Sequence, residues 1–231
     1  MKKLLFTLVF GLLTCSCVFG QSNADIVKAL RDRAIQENSN KYLTVKGIEL
    51  KPGLKMNEVL QKMQAKGMAK TDIFKIAKEQ FGILDLTGDF AGRSNCNIKV
   101  VPISKDKDVV GAISISFPNS ETFKSLKDLY DRLKFDLSQK YYIFESEEKF
   151  YNDYVNNSTS DYLKRSAIEN DEASFETRFH LSDTENSLYL GYVVLRIAHL
   201  NVDYHTSCFV MLSYCTPDNV EEQFTTIEDD L

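Results

Sequence analysis

Apolar residues fall at every second position in six stretches of this chain, and at every third or fourth position in several others. The first spacing marks strands with one buried face, the second helices with an apolar stripe. Ile83 to Phe90 places Leu84, Leu86, Gly88 and Phe90 on one side. Asn97 to Ile103 offers Ile98 and Val100, and Pro102 predicts an edge position or a bulge. Val109 to Phe117 turns Val109, Gly111, Ile113, Ile115 and Phe117 inward, with Val110, Ala112, Ser114 and Ser116 outward. Ser174 to Leu181, Leu188 to His199 and Tyr204 to Cys215 complete the six. Earlier in the chain, Tyr42 to Leu50 reads as one strand whose apolar parity changes, which predicts a bulge near Gly47.

The clearest helix follows Pro118-Asn119-Ser120, where Phe123, Leu126, Tyr130, Leu133, Leu137 and Tyr141 recur at three- and four-residue steps. Shorter helices are expected after a Ser22 cap, from Asn57 to Lys66 before Gly67, over Thr71 to Phe81, and from Asn219 to Phe224. Glu147 to Glu169 reads as helical material broken near Asn156-Asn157-Ser158, with Glu145, Glu147 and Glu148 as a solvated face.

Each half therefore runs helix, three strands, helix. Short polar loops such as Ser104 to Asp108 permit hairpins and forbid parallel crossovers, so each trio is expected to be an antiparallel meander. The fold class is α+β: tandem helix-plus-three-stranded meander units forming an antiparallel sheet covered by helices on one face. The expected organisation is a signal peptide over 1–20 and an N-terminal helix or linker over 21–40. A single domain over 41–231 follows, made of two similar halves, 41–141 and 142–231.

The signal comes from Met1-Lys2-Lys3 followed by an uncharged run from Leu4 to Gly20, a basic and then apolar pattern that export machinery reads. Strong hydrophobes stop after Leu13, short of the ~20 apolar residues a spanning helix needs. Val18-Phe19-Gly20 fits cleavage before Gln21, whereas Leu13-Thr14-Cys15-Ser16-Cys17 loosely resembles a lipobox with Cys17 as the lipidated residue. The expected location is the periplasm, the outer membrane or the exterior, with membrane attachment only if Cys17 carries lipid.

Charge narrows the partners. The formal charge is −5, and loss of Lys2 and Lys3 makes it −7. With no basic run, this argues against nucleic acid and against docking on anionic lipid by charge alone. Removal of residues 1–20 leaves Cys96, Cys208 and Cys215. Cys208 and Cys215 stand seven positions apart on one predicted strand and face opposite sides. Either a bridge from Cys96 to one of them or three buried free thiols fits an exported chain.

Gly47-Ile48-Glu49-Leu50 stands before a helix ending Lys66-Gly67, and Leu86-Thr87-Gly88-Asp89-Phe90-Ala91-Gly92, Leu212-Ser213-Tyr214 and Asp229-Asp230-Leu231 follow. On these motifs the chain resembles a family of uncharacterised exported proteins of Bacteroidetes. The resemblance implies no activity and no functional residues. In outline the helix-plus-meander repeat is also similar to β-lactamase-inhibitor-like proteins and small outer-membrane assembly lipoproteins, a likeness of fold that assigns no function.

Chemistry-bearing motifs are sparse. A turn through Asn201-Val202-Asp203 would oppose His199 and His205 across a hairpin, with Asp203 nearby as a further metal ligand, whereas a two-residue turn would pair His199 with Tyr204 and break the site. No third ligand at fixed spacing accompanies them, and a surface histidine pair without metal is the simpler reading. Asn95 and Asn97 make Cys96 look like a hairpin position, not an activated thiol. No catalytic residue, cofactor or metal is assigned. The expected function is a non-catalytic binding or assembly module of the envelope, holding another envelope protein on a sheet face or strand edge. The alternatives are a hydrolase or metal-dependent enzyme with a dispersed site, and a glycan- or lipid-binding protein using the aromatic surface of Tyr141, Tyr142, Tyr189, Tyr192, Tyr204 and Tyr214.

Overall fold

A computed structural model describes residues 23–202 and 205–229. The expectations for the signal segment 1–20, for Cys17, for the Ser22 cap, for Asp203 and for Tyr204 fall on residues outside that set. Helix α1 (Asn23–Glu37) leads to a hairpin of β1 (Thr44–Val45) and β2 (Ile48–Glu49). The single bulged strand expected over Tyr42 to Leu50 is thus two short strands, pairing Val45 with Ile48 around Lys46-Gly47. Both turn residues have positive φ, 51° and 70°, the two-residue geometry that glycine supplies without strain.

Next come α2 (Met56–Ala65), β3 (Ala69–Lys70), α3 (Phe74–Phe81), β4 (Leu84–Phe90), β5 (Arg93–Pro102) and β6 (Val110–Ser116). The helix expected from Thr71 starts three residues later, because Ala69-Lys70 pairs with β4 and Thr71 N–H donates to the Asp85 carbonyl. Pro102 marks a bulge within an internal strand, where the β5–β6 register shifts between Val101 and Pro102. That shift also buries Val110, expected to point outward.

Helix α4 (Phe123–Ser138) follows, then β7 (Tyr142–Phe150), α5 (Asp153–Asn157), α6 (Asp161–Glu169), β8 (Ala173–His180), a 3₁₀ turn (Glu185–Leu190), β9 (Tyr192–Val202), β10 (His205–Cys215) and α7 (Pro217–Asp229). Two expectations change here. Glu147 lies in a strand, so helix is confined to α5 and α6. The residues from Leu188 to Leu190 belong to the 3₁₀ turn and not to β9.

The described residues form an eight-stranded antiparallel sheet in the order β3-β4-β5-β6-β10-β9-β8-β7. Both expected meanders are present, β4-β5-β6 and β8-β9-β10, and each gains an outer strand, β3 and β7. The halves share the order strand, helical segment, three strands, helix, and they meet where the last strand of each pairs, Leu212 opposite Ile115.

Register explains the two faces. One cross-strand row runs Leu86, Ile98, Ile115, Leu212, Leu195, Thr177, Ser146. The next runs Asp85, Lys99, Ser114, Ser213, Val194, Arg178, Glu145. A strand's period of two sends the first row under the helices and the second to the opposite face, which is open except at Asp85, the one buried member of that row. The first five residues of the covered row are almost completely buried. Each such side chain contributes roughly 1.5–3 kcal/mol by leaving water.

The covering layer has two parts. Helix α4 lies against β8, β9 and β10, burying Phe123, Leu126, Leu129, Tyr130, Leu133 and Leu137. Its first turn is capped twice. Thr122 Oγ1 accepts from Ser125 N–H at 3.1 Å, and the Asp161 carboxylate accepts from Phe123 and Lys124 N–H at 2.9 and 2.7 Å. Over the first half, α2 and the β1–β2 hairpin add Met63, Val59, Leu43 and Ile48 to the same core. Helix α1 packs on the 3₁₀ turn and on α7, with Arg31 bridging Glu221 and Asp218.

Candidate binding edge

The covered row turns polar where it reaches β8 and β7, beneath the Tyr130 and Lys134 side chains of α4. Tyr130 Oη bonds Thr177 Oγ1 at 2.6 Å, Thr177 bonds Ser146 Oγ at 2.8 Å, and Lys134 Nζ donates to Ser146 at 2.8 Å. Beyond Ser146 no further strand stands among the described residues, so β7 is a nine-residue edge.

The ends of β7 are anchored. Tyr141, just before the strand, is bound to Thr44 through its hydroxyl, which accepts from the Thr44 N–H and donates to the Thr44 carbonyl, both at 3.2 Å. Phe150 closes the other end among Phe123 and Phe175, with ring centroids 5.4 and 5.2 Å away. Tyr151 N–H then donates to the Glu172 carbonyl at 2.9 Å, on the β8 side.

That last bond fixes which main-chain groups are free. Main-chain direction alternates along an antiparallel strand. If Tyr151 points its N–H at β8, so do Lys149, Glu147 and Glu145, and Ser146, Glu148 and Phe150 turn theirs outward. Exposure agrees at Glu148, which is exposed as a whole residue while its side chain is only 24% exposed; what faces water there is main chain.

Side chains along β7 fall into three sets. On the covered side Glu148 is held by Lys127 at 3.2 Å and by Lys134. Burial raises the Glu148 carboxyl, but the two lysines outweigh it and hold the group below its usual range. On the open side stand Glu145, Glu147 and Lys149, the last two paired at 2.6 Å, with Arg178 of β8 3.9 Å from Glu145. The third set is aromatic and apolar. A bulge between Ile143 and Glu145 sets Phe144 flat on the ring of His180, 4.3 Å between centroids and 12° between planes. Burial, with the positive charge of Arg178, depresses His180 to about 4, so the ring is neutral at ordinary pH. Tyr142 and Phe144 are each 51% exposed, and Tyr151 and Tyr154, past the other end of the strand, are 57% and 72% exposed.

The sequence-predicted metal candidates do not converge. The β9–β10 register pairs Val202 with His205 and His199 with Cys208. His199 and His205 thus lie three rungs apart on opposite faces, instead of opposed as expected. His199 Nδ1 lies 3.9 Å from Asp171, and among the described residues no three His, Cys, Asp or Glu side chains are placed to hold a metal ion. Cys96, Cys208 and Cys215 are free and buried, and burial pushes all three thiols up. Cys96 sits inside β5 opposite Gly88, not in the turn; that turn is Ala91-Gly92, with φ of 47° and 73°.

An open groove of about 300 Å3 between α6 and the start of α4 is lined by Glu121, Asp161, Tyr162, Arg165, Ser166 and Glu169. Its charged groups are engaged locally. Asp161 caps α4, and Arg165 bonds the Glu121 carbonyl at 2.6 Å and pairs with Glu169 at 3.0 Å. No helix among the described residues is long and apolar enough to cross a membrane. No protein family, curated protein or solved structure matches this chain.

β7 is absent from the strands that hydrophobic spacing predicts. A signal for it was present: Glu145, Glu147 and Lys149 make a charged face at period two, framed by Phe144 and Phe150. As a helix the same segment has no apolar stripe.

Proposed function

We propose that this chain is a non-catalytic binding or assembly module of the cell envelope whose β7 edge takes up an extended segment of a protein as an added strand. The observation that carries this reading is the unpaired outer side of β7 among the described residues, exposed at Ser146 and Glu148 with Phe150 largely buried beyond them, and flanked by exposed aromatics. Main-chain bonds at an open sheet edge supply affinity, and side chains at alternate positions supply selectivity. Charges on an edge strand also discourage indiscriminate pairing, so Glu145, Glu147 and Lys149 restrict which strand can add. The envelope location rests on Met1-Lys2-Lys3 and the apolar run behind it.

Ser146→Pro tests the reading. Its N–H points away from β8, so proline there removes an outward donor and leaves the β7–β8 ladder bonded. In pull-downs from envelope extract, proteins retained by the wild-type chain should be lost by Ser146→Pro, while circular dichroism shows both chains folded. Equal retention by the two would refute the edge as the binding surface.

A further inference from the structure

The occupant of this edge can be specified further, on the reading that β7 is a binding edge. We infer that β7 pairs antiparallel with β7 of a second copy of the chain, about a two-fold axis through Glu148, joining two eight-stranded sheets into one. Three independent features select this register.

The first is hydrogen-bond phase. Outward groups must meet outward groups, so Ser146, Glu148 and Phe150 of one copy must face the same set in the other. Only registers that keep these positions opposite one another form the ladder. Centred on Glu148, Glu148 exchanges two bonds with its own copy, and Ser146 pairs with Phe150 on each side, about six bonds in all.

Charge is the second. Centring on Glu147 would place that carboxylate directly opposite itself, and centring on Lys149 would do the same to the ammonium groups. Centring on Glu148 sets Glu147 opposite Lys149 twice, at the closely spaced non-hydrogen-bonded positions of the open face. The two Glu148 side chains then meet on the covered face, where each already has Lys127 and Lys134.

The third is the position of the bulge and of the aromatics. The regular part of the edge runs from Glu145, after the bulge at Phe144, to Tyr151, and Glu148 is its midpoint. Antiparallel pairing brings the aromatic start of one strand, Tyr142 and Phe144, to the aromatic end of the other, Tyr151 and Tyr154. All four are more than half exposed in the single chain. An interface that is symmetric about a two-fold must be self-complementary, and apolar ends around a charge-alternating middle satisfy that condition. Helix α4 packs on β8 to β10 and reaches β7 through Lys127 and Lys134 on the covered face, while no strand pairs with the outer side of β7 among the described residues.

A seven-residue ladder with aromatic flanks is a small interface, so association at micromolar concentrations is expected. Sedimentation velocity of the wild-type chain over a concentration series should show a monomer–dimer equilibrium. Lys149→Glu places Glu opposite Glu147 at two symmetric positions and should weaken the dimer by about tenfold. Glu147→Lys should weaken it comparably, and the double variant Glu147→Lys/Lys149→Glu should restore it. Under oxidation Glu148→Cys should cross-link to itself, whereas Glu147→Cys and Lys149→Cys should not. A chain that stays monomeric, or a dimer that ignores the charge reversals and the double swap, overturns the inference. Ser146→Pro separates the two levels. If the chain is monomeric and still captures envelope proteins in a manner lost in Ser146→Pro, the edge stands and the second copy falls. If Ser146→Pro alters neither self-association nor capture, both fall.

Discussion

Replacing Thr177 by valine should destabilise the protein more than replacing Tyr130 by phenylalanine, although each removes one hydroxyl from the same bond. Both residues are completely buried, and Tyr130 Oη lies 2.6 Å from Thr177 Oγ1. In Tyr130→Phe the threonine keeps its 2.8 Å partner Ser146, so only a net hydrogen bond is lost, about 1 kcal/mol. In Thr177→Val the buried phenol loses its 2.6 Å partner and keeps only its weaker interaction with Ser146, so its desolvation is left largely unmet, at about 1–3 kcal/mol. Ser146 retains Lys134 in either variant. The double variant leaves no orphan phenol, so its cost should fall below the sum of the singles by about 1 kcal/mol or more. The chain has no tryptophan, so urea unfolding is best followed by far-UV circular dichroism. For a chain of this size a loss of 2 kcal/mol lowers Tm by roughly 4–8 °C. Additive costs, or a Thr177→Val variant as stable as Tyr130→Phe, would refute the network as a support for β8 and the β7 edge.

Two further outcomes follow from the geometry. His180 binds its proton only near pH about 4 when folded, whereas an unfolded chain binds one near its ordinary value of 6.5. Between those values the unfolded state is the better proton acceptor, so stability should fall as pH is lowered from 6.5 to 4 and level off below. The effect should amount to about 1–2 kcal/mol after allowance for solvent at the ring edge, and His180→Asn, compared by urea melts at pH 7 and pH 4.5, should lose that part of the slope. Asp161→Ala removes the carboxylate that accepts from Phe123 and Lys124 N–H and should cost about 1 kcal/mol. Because Thr122 still caps Ser125, the helix should persist by circular dichroism, and a loss below ~0.3 kcal/mol would show that the second cap is redundant.

The candidate edge was only partly legible beforehand. A binding role on a sheet face or strand edge is an expectation drawn from the meanders and the lack of catalytic motifs. Of the edge itself, Glu147 to Phe150 lies in a segment expected as helix, while Tyr142 to Ser146 is given no element. Locally, Glu145 to Lys149 is a run of good helix formers with a charged surface. It is a strand because its inward groups pair with β8, which follows only after two helices. His199 and His205 show the same limit, since their opposition depended on the β9–β10 turn, and pairing Val202 with His205 separates them by three rungs.

What the sequence determined by itself was local and periodic. Ile98 and Val100, Ile113 and Ile115, Phe123 through Leu137 all bury the faces their spacing assigns, because a strand or helix exposes its own period wherever it packs. Tertiary structure alone decided how the two meanders join, which strand became the edge, and where Glu148 sits on it. Those outcomes depend on pairing between residues far apart in the chain, such as Ile115 with Leu212. No local spacing encodes that pairing, because its free energy is gained only when both apolar faces leave water together.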